Sequence, residues 1–302
     1  LTQKHHVEGI LNYGGTANVT SSAVGHRPVL HVSTPVTEQD GSTTSQPESR
    51  RADVGIITIL SVEAQAVVTA LGLRKQQIGG LHFYAADVQD RTGPISVVAI
   101  RALEQGNRSA MAAYDNLRRH FDPKVVVLVG IGGGFHRDVR VGDVVVATRV
   151  VYYDLRKETP MGIRHRGEER EAPADIRHAI NAFFTENEPA EFQVEDPAGV
   201  TRTMRMLTGP IGSGDAVIAD QDAEILSYLA GFNDKILAID MESGGLSLAC
   251  HERTAQSGQP HGWAVVRGIS DDAGQGKDDS YHRIASWHAA MALRRLLPYL
   301  RN

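Results

Sequence analysis

The chain has 302 residues and a formal net charge of −5, enough length for one large α/β core or two small ones, with no global electrostatic drive toward nucleic acid. No stretch approaches the ~20 apolar residues of a membrane helix, and the N-terminus lacks a charged-then-apolar signal pattern. The single cysteine, Cys250, excludes an intrachain disulfide and reads as a small buried hydrophobe, so the chain is expected to be soluble and cytoplasmic. It begins at Leu1, as a segment cut from a longer chain would.

Residues 1–52 stand apart in composition. Asn12 to Gly25 is rich in Gly, Ser, Thr and Asn with scattered β-formers, and Ser33 to Glu48 has the composition of a linker, so 1–52 is expected to be a flexible leader and linker. From Asp53 onward strand-like and helix-like patterns alternate. Strands are expected at 54–60, 82–88, 94–101, 124–130, 143–151, 203–211, 236–240 and 262–269, and helices at 61–72, 107–120, 173–186, 222–230, 241–254 and 279–300. The most irregular part is about 155–202. The alternation predicts an α/β fold over 53–302: a single domain with a mixed central sheet flanked by helices.

Three acids share one placement along this pattern. Glu63 follows the apolar run from Val54 to Leu60, Glu242 follows Ile236 to Asp240, and Asp271 closes the run from Trp263 to Ser270. Singly, each reads as an acid favoured near a helix N-terminus. Together, at the carboxyl ends of strands in an open α/β sheet, they suggest one pocket. Asp143 and Asp215 each follow a glycine, where turn chemistry is the plainer reading.

The run Gly130-Ile131-Gly132-Gly133-Gly134-Phe135 invites a dinucleotide reading, but Phe135 stands where the fingerprint needs glycine and a strand, not a helix, follows. No Gly-Lys-Ser/Thr triplet occurs, which excludes a phosphate-loop ATPase. The scattered histidines lack metal-ligand spacing. Glycines here instead permit close backbone approach to a ligand.

In order along the chain, the acid-bearing loop at Glu63, Gly130 to Gly134, Val141 to Val146, Ser213-Gly214-Asp215-Ala216, Met241-Glu242 and Ser270-Asp271 resemble the nucleoside phosphorylase/nucleosidase superfamily. The branch most similar is that of the methylthioadenosine/S-adenosylhomocysteine nucleosidases. The resemblance implies hydrolysis of the N-glycosidic bond of a purine nucleoside or nucleotide, without metal or cofactor. In that light Asp271 is the general acid for the leaving base, Ser270 orients its carboxyl, and Glu63 activates water. Glu242 and Met241 hold the ribose. Gly132 and Gly133 lie against purine and sugar, and Val217 and Ile218 pack on the base, with Phe135 or Tyr153 compensating for the missing aromatic at Val217.

Phosphorylases of the superfamily grip phosphate with an early arginine and a hydroxyl. Here Ile131 occupies the hydroxyl position, which disfavours phosphorolysis; Arg101 and Arg108 keep that alternative open, and a non-catalytic nucleotide sensor is a third. The basic run Arg156, Lys157, Arg164, His165 and Arg166 reads either as a solvated loop or as a clamp for a 5′-phosphate. Arg164 and Arg166 would then direct the enzyme to AMP, ADP or ATP. The leader is similar to short segments on bacterial conflict-system proteins, which implies an anti-phage effector with a partner docked through the leader. Family resemblance further implies a homo-oligomer.

Overall fold

A computed structural model describes residues 51–218, 223–271 and 280–301. The leader expected over 1–52 lies outside the described residues except for its last two. Ala52 is buried, donates its N–H to the Phe121 carbonyl and accepts from Lys124, so it already belongs to the core. Among the described residues, no helix is long and apolar enough to cross a membrane.

The first half runs β1 (Val54–Thr58), α1 (Ser61–Leu71), β2 (Arg74–Ile78), β3 (Leu81–Asp90), β4 (Gly93–Arg101), α2 (Asn107–Phe121) and β5 (Val125–Gly134). It continues with β6 (Val144–Ala147), β7 (Arg149–Tyr152), β8 (Arg156–Thr159), β9 (Gly162–His165) and β10 (Glu168–Glu171). Then come α3 (Ala174–Glu186), β11 (Glu191–Glu195), β12 (Thr201–Thr208), β13 (Ile211–Ser213) and α4 (Glu224–Phe232). The chain closes with β14 (Ala238–Asp240), α5 (Ser243–Ser257), β15 (Gly262–Asp271) and α6 (Ser280–Leu300).

Strand β1 pairs in parallel with β4 and β5, and β5 pairs in parallel with β15. These strands are apolar runs because a parallel sheet with helices on both faces buries both sides of each strand; β15 is buried along nine of its ten residues. One of its faces meets both α6 and α3. A Cβ at Gly268 would run into the Ala285 backbone of α6, and one at Gly262 would meet Ile176 of α3. Arg267, the residue before Gly268, therefore points to the opposite face.

Two expected strands are divided. The 143–151 run breaks at Thr148 into β6, which pairs with β12 and β15, and β7, which pairs with β10 and β13. The 203–211 run breaks at Gly209-Pro210, where proline offers no N–H to a ladder. The region 155–202, expected to be the most irregular apart from a helix at 173–186, holds that helix as α3 and also the strands β8 to β11. Its strands were hidden because sequences such as Arg-Lys-Glu-Thr in β8 carry no apolar alternation. Strand β2 was missed for the same reason: Arg-Lys-Gln-Gln-Ile forms an edge strand on β3, where charge guards an open edge.

The glycine run is not a turn. Gly130 to Gly134 continue β5 beyond the end of β1, pair in parallel with β15 as far as Gly133, and pair antiparallel with β14 through Gly134 opposite Ala238 and Gly133 opposite Ile239. The gap left where β5 outruns β1 lies at the carboxyl ends of the parallel strands, and there the three acids meet.

Candidate active site

Glu63 fills that gap. It sits in the first turn of α1, is 2% exposed, and accepts N–H groups from Ile59 and Leu60 on Oε2, each at 2.8 Å, and from Ile131 on Oε1 at 2.9 Å. The bond to Leu60 is the reciprocal half of a capping box. The other two tie the end of β1 to the outrunning part of β5, so one carboxylate replaces the missing ladder. A Cβ at Gly130 would collide with Glu63 Oε1 and Arg267 Nη1, which is why glycine is required there.

Arg267 was overlooked as a candidate. Projecting from the middle of β15 with 0% exposure, it donates from Nε at 2.9 Å and Nη2 at 2.7 Å to Asp240 Oδ2, and from Nη2 at 2.8 Å to Glu242 Oε2. Burial opposes its charge, yet Asp240, Glu242 and Glu63 hold its pKa above the ordinary arginine range. Among the described residues its Nη1 has no hydrogen-bond partner; that donor and Glu63 Oε1 flank the same glycine. Asp240 in turn ties α5 to the cluster, since its Oδ1 accepts the N–H of Ser243 at 3.1 Å and the Ser243 hydroxyl at 2.7 Å.

Glu242 also accepts the Gly106 N–H at 2.9 Å. Burial pushes its carboxyl above the usual range, Arg267 pulls against that shift, and Asp240 adds to it. The loop carrying Gly106 is fixed by Asn107, whose Oδ1 accepts the Gly245 N–H at 2.7 Å and whose Nδ2 donates to Asp215 at 2.8 Å. Asp215 also accepts the Tyr152 hydroxyl at 2.9 Å. It is thus a cross-link between α2 and β7, more than the turn residue its preceding glycine suggested. Asp143 keeps its turn bond to the Arg140 N–H at 2.8 Å and adds an ion pair to Arg205.

Asp271 ends β15 just after a bulge. Ile269 faces Gly132 and Asp271 faces Gly133, leaving Ser270 as the extra residue, and such bulges re-aim side chains beside active sites. Ser270 Oγ donates to Asp271 Oδ2 at 2.9 Å and lies 3.4 Å from the Gly132 carbonyl.

These groups surround a cavity of about 280 Å³. Glu63, Gly132, Gly133, Val217, Ile218, Met241, Glu242, Ser270 and Asp271 all line it. Its charged wall is acidic, with Asp240 joining the three acids, and no lysine or arginine reaches it among the described residues. Tyr153, Gln105 and His282 line it too. Gln105 and His282 had no signal beyond their places before α2 and at the start of α6.

Four expected site residues fall outside the lining. Phe135 packs instead on a small cluster formed by Val151, Tyr153, Leu229, Ile236 and Ile239, which leaves Tyr153 as the aromatic of the cavity wall. Arg108 is exposed in the first turn of α2, where its charge acts on Tyr152, a phenol pushed up to about 12 mainly by burial and by its bond to Asp215. Arg164 and Arg166 are exposed on and after β9. The β8–β9 hairpin is held from the other side, by His165 against the Tyr228 ring at 5.0 Å.

Residues 53–300 match the profile of the Phosphorylase superfamily. Among characterised relatives, ATP nucleosidase Cap17 of Escherichia coli (strain KTE188) is 27% identical over 255 residues, covering 78% of this chain and 49% of that protein. The chain thus spans about half the length of this relative. A 5′-methylthioadenosine/S-adenosylhomocysteine nucleosidase of Marinomonas sp. (strain MWYL1) is 26% identical over 249 residues, covering 81% of this chain and 97% of that protein. The native structure of futalosine hydrolase of Helicobacter pylori strain 26695 superposes with a TM-score of 0.62 at 18% identity, covering 83% of this chain and 98% of the other, which establishes the shared fold. The profile takes in every element from β1 to α6 and all three acids of the cavity, and on that ground the chain belongs to the Phosphorylase superfamily.

Proposed function

We propose that this protein hydrolyses the N-glycosidic bond of an adenine nucleoside or nucleotide and releases the free base. Breaking that bond builds positive charge on the sugar and electrons on the departing base, so a catalyst must stabilise a cation, protonate the base and place a nucleophile. The carrying observation is the cavity wall: Glu63, Asp240, Glu242 and Asp271 converge on it and, among the described residues, no lysine or arginine does. Such a wall suits an oxocarbenium-like sugar and water, and repels inorganic phosphate.

In this reading Asp271 gives its proton to the base, held by the Ser270 hydroxyl at 2.9 Å. Glu63, anchored by three backbone N–H groups, takes the proton of the attacking water. Glu242, fixed by Arg267 and Gly106, accepts the ribose hydroxyls. The named activities of the relatives, ATP nucleosidase and 5′-methylthioadenosine/S-adenosylhomocysteine nucleosidase, support adenine as the base. They are compatible with a cytoplasmic, homo-oligomeric enzyme acting in anti-phage defence through a partner docked on residues 1–52.

Chromatography of released base from adenosine, methylthioadenosine, AMP, ADP, ATP and the guanine counterparts, in phosphate-free buffer, tests the reading. Free adenine and a reducing sugar are expected. Release that requires phosphate and yields ribose 1-phosphate would make the enzyme a phosphorylase.

A further inference from the structure

The cavity is acidic, so a phosphorylated substrate must find its positive partners at a margin. Building on the nucleosidase reading, we propose that a 5′-phosphate or polyphosphate is bound at the starts of α1, α2 and α6, by Gln105, His282 and Arg283, and not by the β8–β9 hairpin. Gln105 precedes Gly106, whose N–H fixes Glu242, so this amide stands next to the group that holds the ribose. His282 lines the same cavity from the first turn of α6. Both are neutral-compatible hydrogen-bond donors on a wall otherwise made of acids, apolar groups, Tyr153 and Ser270.

A second cavity, about 520 Å³, lies at the starts of α1 and α6, where neighbouring residues line the one cavity or the other. Leu60 and Glu63 face the first cavity while Ser61 and Val62 face the second; His282 faces the first and Arg283 the second. Arg283 is exposed and makes no ion pair among the described residues. The one carboxylate lining this second cavity, Asp196, is occupied by Arg202 at 2.9 Å and by the N–H groups of Ala198 and Val200, each at 2.9 Å. A chain of phosphates leaving the first cavity past Gln105 and His282 therefore meets a guanidinium whose planar donors are uncommitted, the group best suited to phosphate oxygens.

The test compares kcat/KM for ATP and adenosine in wild type, Arg283→Ala, Arg283→Lys and Arg164→Ala/Arg166→Ala proteins. Wild type is expected to prefer ATP, and Arg283→Ala to reduce the ATP-over-adenosine ratio at least about 10-fold, the lower end for losing one charge-assisted hydrogen bond. Arg283→Lys should recover part of it, and the hairpin pair should leave the ratio unchanged. A wild type that favours adenosine, a ratio untouched by Arg283→Ala, or a ratio lost in the hairpin variant would overturn the assignment. If no substrate yields free base, the nucleosidase reading fails separately, and equilibrium binding to Glu63→Gln protein decides the subsite. ADP bound at least about 10-fold tighter than adenosine, with the difference lost on adding Arg283→Ala, supports it; equal binding refutes it.

Discussion

Arg267→Met tests the buried ionic cluster most directly. The methionine roughly fills the space but removes three charge-assisted hydrogen bonds, of 2.9, 2.7 and 2.8 Å, from Asp240 and Glu242. Those side chains are 1% and 7% exposed, so water cannot replace the lost donors. Removing one partner of a buried pair costs about 3–5 kcal/mol, which for a domain of this size lowers Tm by about 6–20 °C. The loss should depend on pH. Folded Glu242 already binds its proton more tightly than the unfolded chain, whose reference value is 4.5, so this group makes stability fall as pH rises from that value through the folded one. Without Arg267, which pulls the folded value down, the fall becomes larger. Thermal unfolding followed by circular dichroism should show the variant furthest below wild type near pH 8, with the gap narrowing near pH 5. A variant within about 2 °C of wild type at pH 8 would mean that the two carboxylates are not desolvated.

Asp271→Asn should lower kcat by about 10²–10⁴-fold with the folded state retained, the scale for a lost general acid; near-normal turnover measured by adenine release would assign protonation elsewhere. Glu63→Gln should stop water attack while preserving adenosine binding, whereas Glu242→Gln should raise KM and lower kcat together; if both variants keep wild-type kinetics, the acids of the cavity are not its chemistry. Gly245→Ala drives a methyl into the Asn107 carbonyl where α2 meets α5 and should cost about 1–3 kcal/mol in urea denaturation. Removal of residues 1–50 should leave the unfolding transition of the remainder intact, because the remainder keeps the buried Ala52 and its hydrogen bonds to Phe121 and Lys124.

What could be read from the sequence was whatever local pattern encodes. Each of Glu63, Glu242 and Asp271 ends an apolar run at a strand-to-loop boundary, and the sheet then brings those boundaries to one edge. Arg267 shows the limit. Its immediate signal was an arginine in Val265-Val266-Arg267-Gly268, a charge inside a run that must be buried; its partners Asp240 and Glu242 lie 27 and 25 residues away, and only the fold reveals the pairing. The glycine run misled in the opposite way. Glycine disfavours strands by propensity, but Gly130 and Gly132 stand where Glu63, Arg267 and the Ile239 carbonyl occupy the space of a side chain, so packing overrides propensity.

The basic run at 156–166 and the arginine at 283 carry the same charge and differ in what surrounds them. Arg156 reaches back to Glu158 at 3.2 Å in the exposed hairpin, and Arg164 stands across the hairpin from Lys157, like charge facing like. A surface of that kind is held by solvent, and its charge density in sequence is no measure of potential at the cavity. Arg283 is a single cation with no charged cluster to announce it, yet it follows directly on a residue of the cavity wall. Arg283 is therefore proposed on its position at the margin of the acidic cavity, and not on a count of basic residues along the chain.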